Sequence, residues 1–380
     1  MINFDFDNKC YSCSACADFC PVGAISFDIN LHPSVDLKCC IHCNRCEKSC
    51  IALNNEDKVG TRHEWSAYIA KNSDDFAREH SSSGGVFILL AQYVLDNGGY
   101  VCGCVYDEHF MTRHIVTDSL EICEKMMGSK YVKSDMSGCI SEINMLIKQG
   151  KTVLFSGTPC QTSAVKKCIK SENLLTVAVV CHGSIERDVW QKYLLEEENI
   201  YGKITNLTMR DKSKGYLNYG LKFGFENGTE HITYKNQDCY FLKSFTDGLL
   251  ERERCLSCEF KGENISADLL IGDAWGMDQL YPSFMDKLGC SMLVVLNKVG
   301  KRLFECIQSH VEFKNVDCDT VIEKNQRIIS STPENPQRKT FRIKSKKCDG
   351  NIHDLTERYA KPTIANRIRW KIYKIIKQFK

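Results

Sequence analysis

Cysteine spacing supplies the first chemistry in this chain of 380 residues. Cys10, Cys13, Cys16 and Cys20 form one C-x2-C-x2-C-x3-C run, followed by Pro21. Cys40, Cys43, Cys46 and Cys50 repeat it at an offset of 30 residues. Short C-x2-C steps let one tight loop present three thiolates to one iron–sulfur cube. In this spacing the fourth cysteine of each run ligates the cluster of the other. Cys10, Cys13, Cys16 and Cys50 are therefore assigned to one 4Fe–4S cluster, and Cys40, Cys43, Cys46 and Cys20 to a second. Zinc takes four ligands per ion, usually as two separated pairs, and has no use for a triplet plus a fourth cysteine, twice. The second run departs from the first in ending Cys50-Ile51, and Cys39 beside Cys40 is a spare thiol whose use would break the spacing.

Four later cysteines sit at turns: Cys160 in GTPCQ, Cys181 in CHG, and Cys255 and Cys258 in CLSC. Thiolates converging from these turns would hold a third 4Fe–4S cluster. The alternatives are a reactive Cys160 at a helix N-terminus, a zinc or redox pair at Cys255 and Cys258, and a core cysteine at Cys181. The elements around them follow from residue pattern. Lys151–Gln161 reads as strand, turn and helix start, and Leu174–Gly183 as a second buried strand. Together they make a βαβ unit, whose turns fall at the carboxyl ends of parallel strands, where ligands gather. Ser81–Gly85 (SSSGG) precedes the apolar helix-like run VFILLAQYVL, so it forms either a phosphate cradle or a plain cap. Gly128–Ser134 offers Lys130 to a phosphate and Tyr131 to a ring, or is a surface turn. Tyr100–Asp107, the segment DLLIG and Gly289–Asn297 read as further strands, and Asn227-Gly228 as a hairpin turn. No G-x-G-x-x-G follows a predicted strand, so there is no nicotinamide fingerprint.

Hydrophobic residues make up 43% and charged residues 26% of the chain, values of a globular protein. The net charge of +2 argues against bulk nucleic-acid binding. Cluster thiolates need a reducing compartment, the N-terminus lacks a signal-peptide pattern, and no apolar run is long enough to span a bilayer. A cytoplasmic location is expected. From Lys361 onward there are seven Lys or Arg and no acid. That end places Ile364, Ile368, Ile372, Ile375, Ile376 and Phe379 on one helical face, fit for an anionic membrane surface, a partner or the protein's own body.

The motifs SSSGG, GSKYV, GTPCQ, CHG, CLSCEF and ADLLIGDAWG stand in an order that resembles the beta subunit family of coenzyme F420 hydrogenase/dehydrogenase. The resemblance covers roughly residues 65–310, and the basic tail is not a core feature of the family. It implies an α+β two-cluster ferredoxin-like module over 1–58, then an α/β part with a mostly parallel or mixed sheet. That part divides into the family's N-terminal (65–145) and C-terminal (150–325) domains, with a basic tail over 330–380. It also implies FAD near Ser83, Gly84, Gly85, Ser129, Lys130, Gly157, Thr158, Gly272 and Asp273, beside a cluster on Cys160, Cys181, Cys255 and Cys258. The expected activity is that of an iron–sulfur flavoprotein oxidoreductase. Ferredoxin or a partner subunit donates electrons, and a small organic molecule or F420 takes them. His182 and Asp273 are candidates for proton delivery. The competing reading is a non-enzymatic electron-transfer subunit.

Overall fold

The computed structural model describes Ile2 and residues 5–54, 62–347 and 351–361. Thirteen strands form three sheets. β1 (Ile25–Phe27) and β2 (Pro33–Val35) make a short antiparallel pair between the two cysteine runs. The main sheet has eight strands: β3 (Ser66–Asn72), β4 (Tyr100–Tyr106), β5 (Thr112–Thr117), β6 (Val153–Gly157), β7 (Leu174–Val179), β11 (Leu269–Asp273), β12 (Ser291–Val295) and β13 (Val311–Val316). Between them in sequence, β8 (Ile204–Asp211), β9 (Gly220–Phe225) and β10 (Glu230–Tyr234) form a separate antiparallel sheet.

The order in the main sheet is β13-β3-β12-β11-β7-β6-β4-β5. Its centre, β11-β7-β6-β4, is parallel, and antiparallel strands flank it on both sides. Parallel strands lie where both faces are covered. The β6 and β7 sequences accordingly run as nearly continuous apolar residues, with Val153, Leu154, Phe155, Val177 and Ala178 fully buried. Helix Pro159–Cys168 joins them as the expected βαβ crossover. Pro159 sits at its start, and Thr158 and Gln161 form a reciprocal capping box. Segments 65–145 and 150–325 both contribute strands to this one sheet, so its hydrophobic layers run across the boundary between them.

The hairpin turn falls at Asn227-Gly228, where Gly228 has φ +78° and Asn227 Oδ1 accepts from Thr229 N at 3.0 Å. Two helices near the carboxyl end, Arg338–Lys347 and Ile352–Ala360, pack on the body rather than trail from it. Phe341, Ile352 and Leu355 join the apolar cluster around Trp190. Two of their basic residues are held in ion pairs: Arg338 and Arg342 both meet Glu253, and Arg342 also meets Glu186. The isoleucine-rich segment after Lys361 lies outside the described residues. No helix among those described is long and apolar enough to cross a membrane.

The N-terminal segment docks through polar groups. Asp18 accepts from the backbone N–H groups of Gly138, Ile140 and Ser141 at 2.8, 2.9 and 3.3 Å. It thereby satisfies donors that helix Cys139–Lys148 leaves unpaired at its N-terminus. Arg187 donates to Ile29 O, and Arg252 to Asn30 O.

Candidate functional site

Two hollows lie in the N-terminal segment. Cys10, Cys13, Cys16 and Cys50 line one. Cys20, Cys40, Cys43 and Cys46 line the other. These are the two crossed sets that the spacing implies, and the hollows are alike in size, about 20 Å³ each. Backbone strain repeats with the cysteines. Ser12 and Ser14 have φ 48° and 61°, and the equivalent His42 and Asn44 have φ 53° and 59°. Left-handed non-glycine residues cost roughly 1–3 kcal/mol each and persist at functional loops. The twist turns N–H groups onto sulfur: Ser12 N donates to Cys10 Sγ at 3.3 Å and Ala24 N to Cys20 Sγ at 3.2 Å. Ser14 Oγ is buried with no partner at the first hollow. Burial first, then the neighbouring thiolates, raises the pKa of Cys13 and Cys16. Bare thiols there stay protonated, whereas a coordinating metal deprotonates them outright. Cys39 lies outside both rings, donating to Asp36.

Cys160, Cys181, Cys255 and Cys258 form a third group. Burial, then Cys181 and Cys160, pushes Cys255 up to about 12. Burial, then Cys160, Cys255 and Cys181, raises Cys258. Among the described residues no three His, Cys, Asp or Glu side chains gather closely enough for a single metal ion. A looser set suits a cube in which each of four irons takes one thiolate. Tyr11 connects this group to the first hollow. Its hydroxyl accepts from Glu259 N at 3.3 Å, and its ring meets Phe260 edge-on at 4.7 Å. Cys160 and Cys258 pack against the same apolar cluster that holds Tyr11, Cys13 and Phe260.

A cavity of about 410 Å³ opens at the carboxyl edge of the parallel strands. That is within the usual size of ligand sites. Ser83, Gly85, Ser129, Lys130, Tyr131, Gly157, Thr158, Cys181, His182, Gly272 and Asp273 all line it. Of the expected flavin residues, Gly84 alone does not. Its N–H is held by Ser291 Oγ at 2.9 Å, and an added Cβ would lie 2.3 Å from Ala70 O, so its role is close packing of the turn on the sheet. Gly85, with φ +75°, caps helix Val86–Asp96, whose first residues Val86 and Phe87 also line the cavity. Ser82 and Ser129 join the two turns by a 2.7 Å hydroxyl bond. Lys130 is engaged by backbone at the cavity wall. Its ammonium donates to the carbonyls of Met126, Met127 and Gly128 at 3.2, 2.9 and 3.3 Å, closing the end of helix Leu120–Met126. Tyr131 packs against Phe245, with ring centroids 4.9 Å apart.

The proton candidates stand at the ends of neighbouring parallel strands, His182 shortly after β7 and Asp273 as the last residue of β11. His182 Nε2 lies 3.3 Å from Glu251 Oε1. Glu251 is fully buried, neither of its two oxygens nor His182 Nε2 makes a hydrogen bond of good geometry, and burial raises the Glu251 pKa. Asp273 is held by Arg210, whose Nη1 donates to Oδ2 at 2.6 Å, and that pairing makes it an acceptor. Sequence reading missed Arg210, Tyr219, Lys235 and Glu251. Arg210 lies in β8, while Tyr219 directly precedes β9 and Lys235 directly follows β10, so all three reach the cavity from the small antiparallel sheet and its strand ends. Glu251 stands in the charged run ERER, which looks like solvated surface.

A family model for the carboxyl-terminal part of the coenzyme F420 hydrogenase/dehydrogenase beta subunit matches residues 150–319. Over those residues the chain is similar to the F420 hydrogenase/dehydrogenase beta subunit family. The family match contains all four of Cys160, Cys181, Cys255 and Cys258. A 4Fe-4S binding domain model matches residues 6–26, which hold the first cysteine run. Among solved structures, a chain of the F420-reducing NiFe hydrogenase complex from Methanosarcina barkeri is similar, with 18% identity and a TM-score of 0.48. The similarity covers 74% of this chain and 98% of that one. No curated protein matches.

Proposed function

We propose that the protein is an iron–sulfur flavoprotein oxidoreductase. In this reading, electrons from ferredoxin or a partner subunit reach an organic substrate, or F420, through two clusters in a two-cluster ferredoxin-like module and a third beside the cavity. The observation that carries the reading is shared placement. Cys181 belongs to the third cysteine group and also lines the cavity, while Tyr11 and Phe260 link that group to the first hollow. The partner would dock at the second hollow, where Cys43 is exposed.

The residues present fit the groups. Each hollow offers four thiols, sulfur-directed N–H bonds and, in the first, an unpartnered hydroxyl. The cavity offers serine and glycine turns and a helix N-terminus, the features that hold phosphate groups. An added Cβ at Gly272 would meet Val180 at 2.8 Å, so strand and turn approach closely at the floor. A flavin bound there would exchange one or two electrons and so match single-electron donors to a two-electron reduction. The chain's own residues position and supply protons. His182, beside buried Glu251, presents its imidazole at the cavity wall. Asp273, at the end of the neighbouring strand, holds Arg210.

Anaerobic purification with cofactor extraction tests the reading. FAD in the extract together with broad iron–sulfur absorption is the expected result. Iron without flavin, after reconstitution with FAD, would assign the protein to simple electron transfer.

A further inference from the structure

Arg210 on β8 is held at one end and free at the other. Its Nη1 is engaged by Asp273, and its Cζ lies 4.1 Å from the Tyr219 ring centroid and 5.6 Å from those of Tyr216 and Trp275. The residue is 5% exposed and lines the cavity. Yet Nε and Nη2 have no hydrogen-bond partner, and neither has Asp273 Oδ1. Nε and Nη2 share one edge of the guanidinium plane. That edge is the fork which makes two parallel N–H···O bonds to a carboxylate or phosphate. Aromatic faces fix the plane and cannot satisfy the edge. Buried donors of a charged group are costly to leave unmade. Lys235, on the same wall, brings a second positive charge, its ammonium 5.1 Å from the Tyr219 ring centroid.

The cavity thus has two unlike walls. Serine and glycine turns from the eight-stranded sheet form one, and a caged guanidinium from the three-stranded sheet forms the other. We propose that the Nε–Nη2 edge of Arg210 binds an oxyanion, a carboxylate or phosphoryl group, of the organic substrate. This rests on the reading that the cavity houses flavin and substrate together. The oxyanion fixes the substrate's orientation against the opposite wall. Arg210 is in this sense a specificity residue: a neutral analogue of the same shape leaves the fork unpaired.

Isothermal titration calorimetry on the full chain, reconstituted anaerobically with iron, sulfide and FAD, provides the test. Benzoate, phenyl phosphate and the neutral benzamide are the probes. The preferred anion identifies the group, and benzamide is expected to bind roughly 10- to 100-fold more weakly than it. Arg210→Gln is expected to weaken the preferred anion by the same factor, while Arg210→Lys, which keeps charge but not the fork, recovers only part. Wild-type protein that binds no anion, or binds all three probes equally, overturns the proposal without any variant. So does binding seen only in flavin-free protein, which would give the fork to the cofactor's own phosphates. If the protein takes up no flavin but still binds an anion through Arg210, the flavin reading fails and the oxyanion site stands.

Discussion

The N-terminal segment and the sheet-edge cavity gather cysteines in opposite ways. In the first, eight cysteines come from forty-odd residues whose regular elements are a few short helices and one pair of three-residue strands. There the cysteine loops are the structure. At the sheet edge, Cys160, Cys181, Cys255 and Cys258 are mounted on a large sheet whose strands are buried by their own apolar side chains. On the proposed reading, metal coordination would supply folding energy in the first region and would be added to a finished scaffold in the second.

Serine substitutions on the two sides should break that symmetry, and this is the largest expected effect. Cys13→Ser should remove about four irons and unfold the module, so that limited proteolysis cuts within residues 5–54. Cys258→Ser should also remove about four irons, yet leave the thermal midpoint of the body within a few degrees of wild type. Equal protease sensitivity in the two variants would refute the contrast.

A smaller effect sharpens it from the scaffold side. His114 on β5 joins a buried chain. Its Nε2 donates to Ser156 O at 3.1 Å, its Nδ1 accepts from Ser134 Oγ at 2.9 Å, and Gln161 Nε2 donates to that hydroxyl at 2.8 Å. Burial pulls the imidazole pKa down to about 4. Since the unfolded chain takes the proton first, near pH 6.5, this stability is present above that pH and drains away toward pH 4. Between pH 7 and 5 the body should lose about 2 kcal/mol in urea unfolding through this residue. His114→Gln should flatten that slope, and an unchanged slope would show that the charge change lies elsewhere. The smallest effect is at the joint. Asp18→Ala should cost about 1 kcal/mol by uncapping helix Cys139–Lys148, seen as faster hydrogen exchange at Ile140 and Ser141.

The same contrast explains what could be read in the sequence. The eight module cysteines were legible because local spacing alone sets their geometry. The βαβ unit was legible through its apolar runs and the Pro159 helix start. The partition of Cys160, Cys181, Cys255 and Cys258 rested on turn positions and family resemblance, since long-range ligand sets leave no spacing signal. Arg210 was not legible at all, because its meaning depends on a second sheet closing over the first. Lys130 lines the cavity as its turn position suggests, but its three carbonyl partners at a helix end were not readable from that position. Basic residues near Arg338 concealed a packed helix, because the charges of Arg338 and Arg342 are answered by Glu253 and Glu186 inside the fold.

The central claim is that the late cysteine group is a working cluster between module and cavity. Iron content and flavin reduction in Cys255→Ser, compared with wild type under anaerobic conditions, test it most directly. The account predicts about twelve irons per chain falling to about eight, with FAD still bound but no longer reduced through the module by reduced ferredoxin. Unchanged iron, or a flavin that still takes electrons from the module at the wild-type rate, would contradict it.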